Sequence, residues 1–312
     1  MKRFLFVSFL SLCNAHLLPA KFSKDKKSVT VNLALPSGQT VAFPRVEPLL
    51  FTPDGRILYI HNFLTDSECE HLITRALPKL HRSTVVDGQG GGVLNDIRTS
   101  AGTFLDRRSD PIVSRINDRL ALITLFPVDF HEDIQILRYE PGQHYLPHMD
   151  AFSTAAEKSE YNGLQRVATL LIYLNSWGVD YEGGETTFPL VGPSEAQSSW
   201  SNVSACTRGK LAVRPKKGDA VLFFSLSPSG DEMQSSMHGS CDVLWGTKYS
   251  APTWTRQKPF HPSSLRAEGP SGCRDVHEQC MTWARSGECA NNSDFMLEEC
   301  ARACGQCPPP SA

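Results

Sequence analysis

The feature that most constrains the fold of this 312-residue sequence is the uneven distribution of its ten cysteines. Six of them lie between Cys273 and Cys307, with six, eight, ten, three and two residues between successive cysteines. A segment this short cannot bury enough apolar surface to fold by itself, so it needs covalent or metal cross-links. The spacing lacks a pair of Cys-x-x-Cys knuckles, which favours disulfides over a zinc cluster and leaves their pairing open.

The N-terminus agrees with an oxidising compartment, in which such disulfides persist. A basic start, Met1 to Arg3, precedes an apolar run from Phe4 to Leu12, and small residues follow at Ala15 and Ala20. This pattern predicts a secretory signal peptide over residues 1–20, with a buried N-terminal strand as the alternative. The run is too short to span a bilayer, so we predict no stable membrane span.

The overall composition is that of a globular protein without a strong charge bias. Hydrophobic residues make up 40% of the chain, which is enough for one sizeable domain and a small one. The 31 basic and 33 acidic residues give a formal net charge of -2, so there is no general excess of positive charge. We therefore predict no nucleic-acid partner.

The middle of the chain changes from helical patterns to strand patterns. A capping box that begins at Thr65 predicts a helix from Asp66 to Leu77, and a proline at a first helical position predicts a second helix from Pro111 to about Leu125. From Asp133 onward, short apolar runs are separated by Gly, Pro and Ser. They predict the strands Ile134–Tyr139, Val167–Leu174, Leu211–Arg214, Ala220–Leu226 and Tyr249–Thr255.

Two helices followed by many short strands predict an α+β fold. We expect its core to be an antiparallel sandwich or jelly roll, also called a double-stranded β-helix, flanked by the N-terminal helices. The predicted organisation is a linker and first strand over residues 21–45, a main domain over 46–262, a linker over 263–272 and the small cysteine-rich domain over 273–307.

Three residues of the strand-rich part have the types of a metal site. His148 and Asp150 are two positions apart, and on a strand that spacing points both side chains to one face. His238 follows the strand that begins at Ala220, so a neighbouring strand could bring it against the first pair. Two histidines and one carboxylate leave about three coordination positions open, which suits non-haem Fe(II) with a cosubstrate and dioxygen.

Lys248 lies ten positions after His238, in the apolar segment Val243 to Tyr249. A lysine head group among apolar side chains needs a buried anionic partner, and a dicarboxylate cosubstrate is one such partner. The alternative is a lysine on an edge strand whose head group reaches solvent.

Several segments share their pattern with a known family. They are Ile97–Phe104, Arg138–Asp150, Arg166–Thr169, Gly183–Pro189, Pro215–Ala220 and His238–Cys241, together with Lys248. On these segments, the span from about Asp54 to Phe260 resembles a prolyl 4-hydroxylase of the Fe(II)/2-oxoglutarate dioxygenase superfamily, of the plant and green-algal type. The resemblance implies hydroxylation of peptidyl proline to 4-hydroxyproline with Fe(II), 2-oxoglutarate, dioxygen and ascorbate, coupled to decarboxylation of 2-oxoglutarate to succinate.

The resemblance also implies roles for individual residues. Iron would be bound by His148, Asp150 and His238, and Lys248 would bind the distal carboxylate of 2-oxoglutarate. Tyr139 and Thr186 would line the same cosubstrate pocket. The substrate peptide and the mouth of the site would be contacted by Arg166, Tyr145, Glu132 and Trp254. Arg256 departs from the family pattern, because several relatives carry His there.

The implied substrate is a proline-rich polypeptide of the secretory pathway, such as a hydroxyproline-rich glycoprotein or a collagen-like chain, met in the endoplasmic reticulum lumen. Two alternatives stay open. One is a 2-oxoglutarate oxygenase with another target, such as peptidyl lysine or a small molecule. The other is a non-catalytic, metal-bearing jelly-roll binding protein whose tail recognises the partner.

The tail resembles an ShK-type domain, a family named for sea-anemone potassium-channel toxins. The family pattern implies the pairs Cys273–Cys307, Cys280–Cys300 and Cys289–Cys304. We expect the domain to serve as an interaction or substrate-docking module rather than a channel blocker.

A few further residues have two interpretations. Cys206 and Cys241 form either one disulfide or two buried thiols, whereas Cys69 on an apolar helix face is expected to be a packed thiol. The run Gly88–Gly92 is expected to be a substrate-covering loop rather than a phosphate loop, because no helix pattern follows it. Asn-x-Ser sequences predict glycosylation at Asn202 and Asn291.

Overall fold

The computed structural model describes residues 32–34, 40–42, 44–83, 85–86, 92–93, 95–152, 165–201, 203–260, 277, 279–301 and 303–305. The predicted signal peptide, the linker over 263–272, most of the run Gly88–Gly92, and Asn202 lie outside these residues. Asn291 lies within them and is exposed. Glycosylation at both asparagines stays a prediction.

The two predicted helices form close to their expected bounds. Helix α1 spans Asp66–Ala76, and the Thr65 hydroxyl and Glu68 carboxylate make the predicted capping box. Helix α2 spans Pro111–Thr124; Asp110 caps it by accepting from two backbone N–H groups, and Leu125 ends it in the left-handed conformation. No helix within the described residues combines the length and apolarity needed to cross a membrane.

Strands make up most of the remaining regular structure before the cysteine-rich tail. In chain order they are β1 Asn32–Ala34, β2 Thr40–Ala42, β3 Val46–Thr52, β4 Gly55–Ile60, β5 His81–Arg82, β6 Val85–Val86, β7 Gly92–Val93, β8 Ala101–Leu105, β9 Ile134–Tyr139, β10 Tyr145–His148, β11 Arg166–Tyr173, β12 Tyr181–Gly183, β13 Thr186–Phe188, β14 Leu211–Val213, β15 Ala220–Phe224, β16 His238–Ser240, β17 Val243–Gly246 and β18 Lys248–Arg256. Short 3₁₀ turns lie at Leu77–Lys79, Val128–Phe130, Glu195–Ser199 and Gln234–Ser236.

Two facing sheets form the predicted jelly roll. The larger sheet has eight strands in the order β3-β4-β15-β11-β18-β9-β8-β5, and the smaller has four in the order β10-β16-β13-β14. Neighbouring strands in both sheets pair antiparallel. The fold is therefore α+β with a double-stranded β-helix core, as the sequence predicts.

Strand β11 shows why the sequence of a central strand is a nearly continuous run of apolar residues. Its residues Ala168, Leu170 and Ile172 pack in one buried cluster with helices α1 and α2. Its alternate residues Leu171 and Tyr173 pack in a second cluster, which includes residues of the four-stranded sheet. Because both faces of the eight-stranded sheet are covered, most side chains on both faces of β11 are apolar.

Cys206 and Cys241 form a disulfide, which resolves the choice between a bond and two thiols. The bond ties the loop before β14 to the residue that follows β16, with 6.0 Å between the Cα atoms. Cys69 is a buried free thiol, as expected for a packed cysteine on α1.

The cysteine-rich tail contains three short helices, α3 Cys280–Arg285, α4 Glu288–Asn291 and α5 Ser293–Glu299. Disulfides Cys280–Cys300 and Cys289–Cys304 join them, in the pairing that the resemblance implies. The buried centre consists of Cys280, Met296 and Cys300, so the sulfur atoms themselves supply much of it. Cys273 and Cys307 lie outside the described residues, and their bond stays a prediction.

We predict that the tail is dispensable for folding of the main domain, because its buried centre consists of its own residues. A chain that lacks residues 272–312 should keep its far-UV circular dichroism spectrum, apart from the three short helices, and should melt cooperatively. The matched control is a chain cut before β18, which removes a central strand of the larger sheet and should not fold. Loss of cooperative melting in the 272–312 deletion would contradict the prediction.

Candidate active site

A cavity lies between the two sheets. The larger sheet lines it through β9, β11 and β18, and the smaller sheet lines it through β10, β13 and β16. Its lining combines apolar side chains such as Leu137, Leu171 and Pro252 with several convergent polar groups. A mostly apolar lining with a few convergent polar groups is typical of a site for a small cosubstrate.

The three metal-type residues of the sequence meet in this cavity. Strands β10 and β16 pair with His148 directly opposite His238, and Asp150 lies just beyond the end of β10. Each histidine Nε2 is 3.6 Å from an Asp150 carboxylate oxygen, and the ligand atoms of the group lie within 4.8 Å of one another. The neighbouring strand that brings His238 to the group is β16, as expected. Asp150 was expected on the same strand as His148, but it lies in a bend after β10.

Backbone carbonyls orient both imidazole rings. The Nδ1 atom of His148 lies 2.9 Å from the Leu146 carbonyl oxygen, and the Nδ1 atom of His238 lies 3.0 Å from that of Ser236. Since a carbonyl only accepts, each Nδ1 carries a proton and donates, which leaves each Nε2 as the ring nitrogen that faces Asp150 and can ligate a metal. The Tyr145 ring stacks on His148 with 3.6 Å between centroids and limits its rotation.

The charges of the group suit metal binding. Burial, assisted by the neighbouring His238, lowers the pKa of His148, so its imidazole is neutral. Burial by itself would raise the pKa of Asp150, but neighbouring groups, among them Arg166 and the Thr169 hydroxyl, outweigh it and lower that pKa. Neutral imidazole and ionised carboxylate are the forms that ligate a metal.

This donor set fits Fe(II). Two nitrogen ligands and one oxygen ligand converge from one side, while the rest of the cavity lies open beside them. Such a two-histidine, one-carboxylate arrangement leaves positions for a cosubstrate and is typical of non-haem iron oxygenases. A closed four-ligand zinc site is not supported, because the group contains three residues and no cysteine.

Lys248 lies deeper in the same cavity, at the start of β18, with 2% of its surface exposed. Its Nζ donates to the Gly184 carbonyl at 2.6 Å and to the Ser240 hydroxyl at 2.8 Å, both neutral acceptors. Burial lowers the pKa of Lys248 to about 7, against the opposing effect of Glu185. Lys248 is therefore not a solvent-reaching lysine on an edge strand, and its remaining N–H suits a carboxylate bound in the cavity.

Tyr139 and Thr186 lie in the cavity with Lys248, as the family resemblance implies. The Lys248 Nζ is 5.1 Å from the Tyr139 ring centroid. Burial raises the pKa of Tyr139, so its hydroxyl stays protonated and can donate. The Tyr173 hydroxyl donates to the Thr186 Oγ1 at 3.0 Å and fixes that hydroxyl in place.

The residues that the resemblance assigns to the substrate lie together. Arg166 donates to both carboxylate oxygens of Glu132, at 2.7 and 2.8 Å, and its guanidinium lies 3.8 Å from a ring centroid of Trp254. Trp254 and Tyr145 both line the cavity. Arg256 is 1% exposed and lies 2.5 Å from the same Glu132 carboxylate, so Glu132 is shared by two arginines.

Two residues of the site were not singled out from the sequence. Arg98 lines the cavity, lies 4.8 Å from the Tyr145 ring centroid and donates to Gln135 at 2.8 Å. Thr169 donates to Asp150. Both residues belong to segments on which the family resemblance depends, and that resemblance was the available signal. An arginine or a threonine by itself does not indicate a metal or cosubstrate site.

This chain matches two family profiles and is similar to plant prolyl 4-hydroxylases. The 2OG-Fe(II) oxygenase superfamily profile matches residues 134–256, and the ShK domain-like profile matches residues 272–307. The chain is 36% identical to Arabidopsis thaliana probable prolyl 4-hydroxylase 7, over 97% of this chain and 98% of that protein. It is 40% identical to Arabidopsis thaliana prolyl 4-hydroxylase 2, over 81% of this chain and 85% of that protein. Among solved structures it is 25% identical to the viral collagen prolyl hydroxylase of Paramecium bursaria Chlorella virus-1 in complex with 2OG, with a TM-score of 0.45 over 64% of this chain and 95% of that chain.

We predict that His148, Asp150 and His238 are each required for metal binding. Single alanine substitutions should abolish binding of Co(II), used as a spectroscopic substitute for Fe(II), because each removes one of three ligands. Titration followed by the visible absorption of bound Co(II) checks this. The control is His71→Ala, which changes a histidine on α1 that pairs with Asp110 away from the cavity. Wild-type affinity in Asp150→Ala would show that the assignment of this ligand is wrong.

Proposed function

This chain belongs to the prolyl 4-hydroxylase family of 2OG-Fe(II) oxygenases, and we propose that it acts on proline-rich polypeptides in the lumen of the endoplasmic reticulum. Its reaction is the hydroxylation of peptidyl proline, coupled to the decarboxylation of 2-oxoglutarate to succinate. The observation that carries this function is the open His148, Asp150 and His238 group beside a buried lysine in one cavity.

The cofactor assignments follow from the donor groups. In the proposal, His148, Asp150 and His238 hold Fe(II), which together with 2-oxoglutarate and dioxygen supplies the oxidation of the proline C–H bond when bound. Ascorbate is assigned as the reductant that keeps the metal in the Fe(II) state. The protein itself contributes ligation, orientation of the cosubstrate and exclusion of bulk water.

Lys248 is the residue we assign to the distal carboxylate of 2-oxoglutarate. The buried ammonium becomes more stable when an anion replaces the solvent it has lost, and the carboxylate gains a charge-assisted hydrogen bond. Tyr139, as a neutral hydroxyl donor, and Thr186 are assigned to the same cosubstrate. These contacts would hold the dicarboxylate in one orientation beside the metal ligands.

The mouth of the site has the chemistry of a proline-rich peptide site. Tyr145 and Trp254 present aromatic rings, and aromatic surfaces are typical binding partners of extended proline-rich segments. Arg166 is held by Glu132 and stacks on Trp254, so its guanidinium lies in a fixed position beside that ring. We assign these four residues to the substrate peptide, with a hydroxyproline-rich glycoprotein or a collagen-like chain as its source.

Disulfides support the proposed compartment. The Cys206–Cys241 bond lies in the main domain, and two further bonds lie in the tail. Disulfides form and persist in oxidising compartments such as the endoplasmic reticulum lumen, where newly made secretory polypeptides are also present as substrates.

We predict that the purified chain, supplied with Fe(II), 2-oxoglutarate and ascorbate in air, converts proline in a proline-rich peptide to 4-hydroxyproline. Mass spectrometry of the peptide and measurement of succinate should give equal amounts of both products. Asp150→Ala should give neither. A matched peptide with lysine in place of proline tests the lysyl alternative, and hydroxylation of that peptide alone would refute the proposal.

We predict that Lys248→Ala weakens binding of 2-oxoglutarate much more than binding of peptide. Leaving the distal carboxylate unpaired in a buried site costs about 2–5 kcal/mol, so the apparent affinity should fall about 30-fold or more. Steady-state kinetics in which 2-oxoglutarate and peptide are varied separately measure the two effects. The control is Lys217→Ala, which removes a surface lysine paired with Glu70. If Lys248→Ala left the KM for 2-oxoglutarate unchanged and raised the KM for the peptide, Lys248 would be assigned to the substrate channel instead.

A further inference from the structure

One hydrogen bond to the metal group comes from a residue without an assigned role. The Thr169 Oγ1 lies 2.6 Å from the Asp150 Oδ2, which is shorter than the distances from Asp150 to the two histidines. An ionised carboxylate only accepts hydrogen bonds, so the threonine hydroxyl is the donor. Both residues are buried, with 1% of Thr169 and 7% of Asp150 exposed, so water does not readily replace this bond.

The bond connects the two sheets across the cavity. Thr169 lies on β11 in the middle of the eight-stranded sheet, where it is opposite Phe223 on one side and Trp254 on the other. Asp150 belongs to the segment that leaves β10, an edge strand of the four-stranded sheet. The proposed ligand that lies outside a strand is thus tied to a central strand of the larger sheet.

Asp150 needs such an anchor more than the two histidines do. His148 and His238 are directly paired in neighbouring strands, and backbone carbonyls orient their rings. Asp150 lies outside the ladder, and the terminal torsion of an aspartate side chain is broad rather than confined to narrow rotamers. A hydroxyl bonded to one carboxylate oxygen removes that rotation.

We propose that Thr169 is a positioning residue for the metal: its hydroxyl holds Asp150 Oδ2 and so fixes the carboxylate in one orientation beside His148 and His238. A carboxylate with one oxygen held by this hydrogen bond would not readily ligate through both oxygens. The second coordination position would then be available for the cosubstrate. This inference rests on the proposed metal site and extends it to a residue that does not touch the metal.

The fold itself has no need of the hydroxyl. Threonine and valine have nearly the same shape and both favour strands, so a valine at position 169 suits β11 equally well. Thr253 provides a matched comparison, because it is 1% exposed, lies on the neighbouring strand β18 opposite Leu170, and its hydroxyl has no hydrogen-bond partner among the described residues. Thr253→Val replaces a hydroxyl by a methyl group, as Thr169→Val does, but it removes no contact to Asp150.

The test is a Co(II) titration of the full chain, followed by visible absorption, for wild type, Thr169→Val, Thr169→Ser and Thr253→Val. Loss of a residue that holds a ligand typically weakens metal binding about 10–100-fold, and we expect that loss in Thr169→Val. Thr169→Ser keeps the hydroxyl and should bind within a few-fold of wild type. Thr253→Val should bind like wild type, and the absorption of bound Co(II) should be altered in Thr169→Val alone.

Several results would overturn the inference in distinguishable ways. Wild-type Co(II) affinity in Thr169→Val, alongside loss of binding in Asp150→Ala, would leave the metal site intact and reject the role of Thr169. Wild-type affinity in Asp150→Ala would reject the metal site itself and the role with it. Equal weakening in Thr169→Val and Thr253→Val would assign the effect to general packing. If Thr169→Val does not fold, Thr169→Ala compared with Thr169→Ser gives the same measurement.

Discussion

The antiparallel pairing of β10 with β16 is the interaction on which the site depends. It places His148 directly opposite His238, although the two residues are ninety positions apart in the sequence. A shift of this register by one residue would turn one histidine to the other face of the sheet, because side chains alternate along a strand. The Cys206–Cys241 disulfide lies directly after β16 and connects it to the loop before β14.

A polar site inside a sandwich is costly unless its groups are satisfied, and this cavity shows how the cost is limited. Each histidine donates to a backbone carbonyl, Asp150 accepts from Thr169, and Lys248 donates to Gly184 and Ser240. These bonds leave the groups that face the cavity, the histidine Nε2 atoms and the lysine ammonium, in positions set before any ligand binds. Such preorganisation lowers the entropic cost of binding metal and cosubstrate.

The tail is stabilised in a different way from the main domain. The main domain buries large apolar clusters on both faces of its central sheet, whereas the buried centre of the tail consists of two half-cystines and one methionine. Disulfides compensate for a core that is too small. The aromatic residues His277, Trp283 and Phe295 pack against one another beside that centre and complete the tail.

The sequence by itself determined the two helices of the main domain, five of its strands and the chemical types of the site. Local signals such as the capping box at Thr65, the proline that starts α2 and the apolar runs of the central strands act within a few residues, so they can be recognised without the fold. Only the tertiary structure decided which strands pair, that Asp150 joins the group from a bend, that Lys248 is deeply buried, and that Arg98 and Thr169 reach the site. These depend on contacts between residues far apart in the chain, and a threonine or arginine acquires its role from the neighbour that the fold places within hydrogen-bond distance.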